Sequence, residues 1–165
     1  SRRRHTRSFH VTGVQTCALP IYQTRKHVKL LGYAGLIPFV GMAMLLWLID
    51  ADLHPFVALA LAGYGAAIVS FLGGIHWGIG FRNVARMHNA PLFHFGWGVV
   101  PSLLAWIAIT MPAYAGLPLL AFILIICYTV DRKAYLEAGL QEWLPMRLHL
   151  TVVAALSCLI GAAAT

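Results

Sequence analysis

From Leu30 to Ile49 the chain reads LLGYAGLIPFVGMAMLLWLI, 20 residues without a charged side chain. Coiled as a helix that rises about 1.5 Å per residue, this stretch reaches about 30 Å, the thickness of a bilayer's hydrocarbon core. Four more runs share its character, at about residues 55–81, 92–111, 113–130 and 148–164. They are continuous rather than alternating, which favours helices over the strands of a barrel. Of the 165 residues, 60% are hydrophobic and only 10% are charged, against about 25% charged in a soluble domain. A domain of this size has too little interior to hide that much apolar surface from water, so part of its solvent is lipid. The expected fold class is all-α, a polytopic membrane protein with five transmembrane helices in a single domain over residues 22–165.

The first 21 residues are set aside. SRRRHTRSFHVTGVQTCALPI has a basic start but no continuous apolar core after it, so it lacks the layout of a signal peptide. Val11–Ile21, VTGVQTCALPI, resembles the conceptual translation of a sequencing-adapter oligonucleotide, and Ser1–Arg7 resembles the same oligonucleotide upstream in frame. The expectation is a non-native extension over residues 1–21. Without Arg2, Arg3, Arg4 and Arg7, the formal net charge of +7 falls to +3, eight basic residues against five acidic. Nucleic acid is then not an expected partner. Of the three cysteines, Cys127 and Cys158 stay in the domain, both in apolar runs at different expected depths, where packing is their ordinary role.

Charge gives the direction of threading. With five spans and a cytoplasmic N-terminus, Arg25, Lys26, Lys29, Arg82, Arg86, Arg132, Lys133 and Arg147 all fall on the inner side, and Asp50 and Asp52 fall outside. That is the positive-inside bias, with the C-terminus periplasmic. Trp47 and Trp106 then lie near the outer ends of their spans and Trp77 near the inner end, where indole rings anchor helices at the headgroups.

Helices in lipid are held by close packing more than by hydrophobicity, so small residues mark where they meet. The second span carries Gly63, Gly65, Gly73, Gly74 and Gly78, and the Gly74/Gly78 pair at i,i+4 is the expected contact face at the bundle centre. Pro38 and Pro101 sit inside spans one and three, where each frees a carbonyl and is expected to kink its helix. A short amphipathic helix is expected over about residues 133–144, lying in the interface and ending near Pro145.

The same threading gathers polar residues near the inner ends: Ser70, His76, Trp77, His94, Asp131, Arg147, His149 and Thr151, with Asn83 and His88 in the adjoining loop. Ionisable groups inside a span are costly in lipid and face protein or water. Two readings stay open. In one, Arg147 pairs with Asp131 and His76 faces a lipid headgroup, a quinone-like carbonyl or a metal. In the other, a neutral His76 is satisfied by Ser70 or a neighbouring helix while Arg147 snorkels to water. No CxxCH, HExxH, ExxH or GxSxG pattern occurs, so no catalytic or metal-ligating residue is assigned and haem or quinone stay weak alternatives.

Four stretches, LGYAGLIPFV (Leu31–Val40), YGAAIVSFLGGIHWG (Tyr64–Gly78), GVVPSLLAW (Gly98–Trp106) and WLPMRLHLT (Trp143–Thr151), together resemble an uncharacterised family of small integral membrane proteins of bacteria and mitochondria. This is the domain-of-unknown-function 3429, or transmembrane-protein-69-like, family. The resemblance covers the chain from about Leu31 onward and implies a multi-pass protein of the bacterial inner membrane with no established reaction. It marks Pro38, Ser70, Gly73, Gly74, His76, Trp77, Gly78, Pro101, Trp106, Asp131, Arg147 and Thr151. The expected function is a non-catalytic structural, assembly or accessory subunit that binds lipid, quinone or a protein partner near its cytoplasmic side. Its expected partners are membrane lipids and a larger complex or a second copy. The alternative is a small homo-oligomeric transporter or channel, and behind it a haem- or metal-binding redox protein.

Overall fold

The computed structural model describes the backbone of residues 13–86 and 92–165, and side-chain surroundings over residues 23–85 and 92–165. Six helices follow in order: α1 Gly13–Ala34, α2 Ile37–Leu45, α3 His54–Arg86, α4 Phe93–Thr110, α5 Ala113–Glu137 and α6 Leu144–Ala163. Short 3-10 turns at Ala51–Leu53 and Gln141–Trp143 precede α3 and α6. Among the described residues, five stretches are long and apolar enough to cross a membrane: Gln23–Leu45, Ala51–Ala85, Phe93–Thr110, Ala113–Glu137 and Gln141–Ala163. The protein is therefore an all-α polytopic membrane protein. Helices suit this setting because each satisfies its own backbone hydrogen bonds where no water can.

The chain divides into two compact units, residues 1–34 and 35–165. Within the second, α3 touches α2, α4, α5 and α6, and α5 runs along α6. Its core joins Phe39 of α2 and Leu46 just past its end, Leu61 and Val69 of α3, Ala105 and Ala108 of α4, Leu117, Leu120 and Leu124 of α5, and Cys158 of α6. The exterior is equally apolar: Leu48, Phe56, Phe71 and Trp106 all lie largely exposed, as a surface wetted by acyl chains requires.

Several expected helix bounds are corrected. The first apolar run is not one helix over 30–49, because α1 ends at Ala34 and α2 starts at Ile37. Pro38 sits in the first turn of α2, where its missing N–H costs no helical bond, so it starts a helix instead of kinking one. The fourth span runs to Glu137, well past 130, and takes in the first five residues of the expected interfacial helix over 133–144. Pro145 lies in the first turn of α6 and begins that helix, which itself starts at Leu144. Of the set-aside extension, residues 1–12 lie outside the described residues, while Gly13–Ile21 form the start of α1. Nothing in this helix supports an adapter origin.

Local chemistry explains the remaining boundaries. Met111 precedes Pro112 and is extended (ψ 157°), the conformation a following proline imposes, and α4 stops there. After α5, Gly139 adopts φ 72°. Leu140 N–H donates to the Tyr135 carbonyl at 2.7 Å and Gly139 N–H to the Leu136 carbonyl at 3.3 Å, the two bonds of a Schellman motif. Arg82 of α3 donates from Nη2 to the Ala138 carbonyl at 3.1 Å, tying the end of α3 to this turn.

Candidate functional site

Four helices bring five polar side chains into one buried cluster. His76 comes from α3, His94 from the first turn of α4, Asp131 from α5, and Arg147 and Thr151 from α6; all are buried. Each lies on the apolar stripe of its own helix. Asp131 follows Leu124 and Cys127 at helical spacing, and Arg147 and Thr151 lead into Ala154, Ala155 and Cys158. A residue on such a stripe must point inward whatever its polarity, so the helical period delivers the cluster.

Asp131 is its hub. Oδ1 accepts from His76 Nε2 at 2.9 Å. Oδ2 accepts from Arg147 Nε at 2.9 Å, with Nη2 at 2.8 Å from the same oxygen. Nη2 has charge contact but lies off the line of a hydrogen bond. Arg147 Nη1 donates to Thr151 Oγ1 at 2.6 Å, one helical turn along. On the far side of His76, Nδ1 lies 3.4 Å from Nδ1 of His94. Phe93 and Trp97 stack beside the pair and Phe93 meets both histidine rings edge-on, so the ring nitrogens sit in an apolar sleeve. Carboxylate and guanidinium cancel in charge, which is how a buried ion pair is tolerated where lone charges are not.

The other expected site residues lie apart. Ser70 does not reach His76; its hydroxyl donates to the Ala66 carbonyl of its own helix at 2.9 Å. Trp77 is on the exposed side of α3, donates to the Phe95 carbonyl at 3.1 Å, and packs edge-on with Phe81 and Phe95. His149 faces outward from α6, and Asn83 is half-buried outside the cluster. His88 lies outside the described residues. Among the described residues no three His, Cys, Asp or Glu side chains gather as metal ligands. Cys127 and Cys158 are free, buried thiols.

The expected packing face is also corrected. A Cβ at Gly74, Gly78 or Gly63 would meet nothing within 4 Å, so the Gly74/Gly78 pair faces away from the bundle. The close approach is made by Gly73, where a Cβ would collide with the Gly98 carbonyl of α4, and by Gly98, where it would collide with the Trp77 indole. Gly65 packs against Leu120, with 3.3 Å available to a Cβ. Gly80, Gly98, Gly116 and Gly161 were missing from the sequence-derived set; each is a crossing point of two helices. The signal for Gly73 and Gly80 was present, because both share the face of His76 at i−3 and i+4. Gly98, Gly116 and Gly161 had none in a single sequence. Pro101 is buried inside α4 on the stripe shared with His94, Gly98 and Ala105.

At the other end of the bundle, a cavity of about 560 Å³ opens among Ala51, His54, Ala58, Ala108, Tyr114 and Gly116. None of the polar cluster lines it.

This fold and this cluster define a multi-pass helical membrane protein closed by an ion pair buried between its spans. The chain belongs to the family described as "Protein of unknown function (DUF3429)", whose model matches residues 24–163. It is similar to transmembrane protein 69 of Xenopus tropicalis, 45% identical over 83 residues, covering 48% of this chain and 30% of the relative. It is also similar to transmembrane protein 69 of Mus musculus, 26% identical over 128 residues, covering 77% of this chain and 51% of the relative. The chain thus spans about a third to a half of the length of these curated relatives. No solved structure matches it. Both relatives are vertebrate proteins, which overturns the expected placement in a bacterial inner membrane; the multi-pass character stands.

Proposed function

We propose that this chain is a non-catalytic membrane component that supports or assembles a larger membrane complex, and that its polar cluster is a clamp rather than a reaction centre. The observation that carries this reading is Asp131. Both of its oxygens are engaged inside the bundle, by side chains from two other helices, and a carboxylate so occupied holds helices together. A lipid headgroup or quinone would have to displace those bonds, so the expected ligand contacts at His76, His94 and Arg147 give way to contacts on the outside. There, Ala60, Ala67, Ser70, Gly74 and Gly78 form an exposed row of small side chains on α3, a shape into which a neighbouring helix fits. In this reading the end carrying Arg82, Arg132, Lys133 and Arg147 faces the compartment of synthesis, as positive-inside bias requires. The small-residue row is the docking face for a protein partner.

The test is the mass of the assembly extracted from native membranes with a mild detergent, for wild type and Gly74→Leu. A larger assembly that is lost in the variant, while the isolated protein unfolds at the same temperature, is the expected result. Equal masses, or substrate-dependent flux through reconstituted liposomes, would overturn the reading.

A further inference from the structure

The contact between His76 and His94 has a chemistry that the clamp does not need. A carboxylate oxygen has only lone pairs, so the His76 nitrogen that meets Asp131, Nε2, carries a hydrogen. In a neutral His76 that leaves Nδ1 as a bare acceptor. It lies 3.4 Å from His94 Nδ1, and two lone pairs do not face each other at that distance in an apolar sleeve. His94 therefore donates from Nδ1, and its own Nε2 is the bare nitrogen. The bonds run one way: His94 to His76, His76 to Asp131, with Arg147 closing the far side of the carboxylate.

We propose that His76 and His94 form a buried binding site for a single proton, which enters at His94 and comes to rest on His76 against Asp131. A proton from water binds Nε2 of His94. The hydrogen on His94 Nδ1 then passes to His76 Nδ1, and His76 becomes an imidazolium that donates to His94 on one side and to Asp131 on the other. No electron moves and no heavy-atom contact breaks. The two contacts that serve the neutral pair, 3.4 Å and 2.9 Å, serve the protonated pair with the bond between the rings reversed. The cluster changes from net neutral to one positive charge, placed next to a carboxylate already in position.

The charged and titratable groups around the pair fit this assignment. From α5, Asp131 faces His76 directly, while on His94 burial and the neighbouring His76 act ahead of Glu137. Cys127 and Tyr135, also of α5, stand within electrostatic reach of Asp131. From α6 come Arg147 and Thr151, both on the far side of Asp131. His94 is the second residue of α4, at the edge of its apolar span, and retains 4% exposure against 1% for His76. The less buried ring is taken as the entry and the more buried one as the store. The proposal rests on this hydrogen-bond geometry alone and is independent of what the exterior of α3 binds.

The experiment uses the full chain, labelled with 15N-histidine, in lipid nanodiscs. The expected result is a through-hydrogen-bond coupling between the two Nδ1 nuclei near neutrality, with the hydrogen on His94. On acidification, the doubly protonated spectrum should appear at His76 rather than at His94. His94→Phe keeps the apolar volume but removes the entry; it should lose the coupling and one proton from the uptake counted by a pH-indicating dye. Independent titration of the two rings, an N–H on Nε2 of His94 near neutrality, or a metal ion bound between the rings would overturn the proposal. The coupling is read in wild type, so a variant that fails to fold does not shelter it.

Discussion

Asp131 and Arg147 stand 16 residues apart on neighbouring helices, and the Arg147 Nε donates to Asp131 Oδ2 at 2.9 Å across the α5–α6 hairpin. The pair carries opposite charges with both partners buried, so its value depends on both being there. Asp131→Ala strands the guanidinium and is expected to cost about 3–5 kcal/mol of stability, read from unfolding in mixed micelles. Replacing the pair together, Asp131→Leu with Arg147→Met, is expected to recover most of that loss. Equal destabilisation by the single and double changes would show that the charges do not compensate one another.

Much of this was legible in the sequence, through one rule. Continuous apolar runs fixed the number of spans, since length and lack of charge are properties of the chain alone. The threading puts Asp131 and Arg147 at one depth, and their pairing is one of the two readings the sequence leaves open; the other, Arg147 snorkelling to water, is equally compatible with the chain pattern. The misplaced residues have a common cause. Ser70 is an expected partner of His76, yet it lies about a third of a turn around α3 from it and bonds to its own helix. Gly74 and Gly78 were chosen for their mutual spacing, without asking which face His76 occupied. The break between Ala34 and Ile37 was hidden because an apolar composition is the same on both sides of a turn. The direct meeting of His76 with His94 depends on how α4 crosses α3, which no single-chain pattern encodes.

The glycines of that crossing give the second prediction. Gly73→Ala drives a methyl into the Gly98 carbonyl, a backbone atom that cannot rotate away, and Gly98→Ala drives one into the Trp77 indole. Each is expected to destabilise the monomer by about 1–3 kcal/mol, as overpacking does. Gly78→Ala enters open space and is expected to change monomer stability by less than about 0.5 kcal/mol. Thermal unfolding of the three variants in one lipid decides the matter; equal effects would place the α3–α4 contact elsewhere.

Thr151 tests how the guanidinium is held. Its Oγ1 accepts from Arg147 Nη1 at 2.6 Å, in a site from which water is largely shut out. Thr151→Val keeps the shape and removes the acceptor, and is expected to cost about 1–3 kcal/mol because a charged donor is left unpaired. Thr151→Ser keeps the oxygen and should lose much less. If both variants unfold alike, the methyl of Thr151 matters and its hydroxyl does not.

The turn between α5 and α6 sets the register of the ion pair, and Gly139 sets the turn. Its φ of 72° lies where a Cβ crowds the following carbonyl, and no neighbouring atom stands within 4 Å of where a side chain would begin. Any penalty on substitution is therefore conformational and not steric contact with the rest of the bundle. Gly139→Ala is expected to cost about 1 kcal/mol, whereas Gly139→Asn, a residue that tolerates this conformation, should cost less. The loss should appear with Asp131 and Arg147 intact and should be additive with Gly73→Ala, whose contact lies on other helices. A Gly139→Ala variant as stable as wild type would mean that the chain leaves α5 by a different turn, and Arg147 would then have to reach Asp131 from another register.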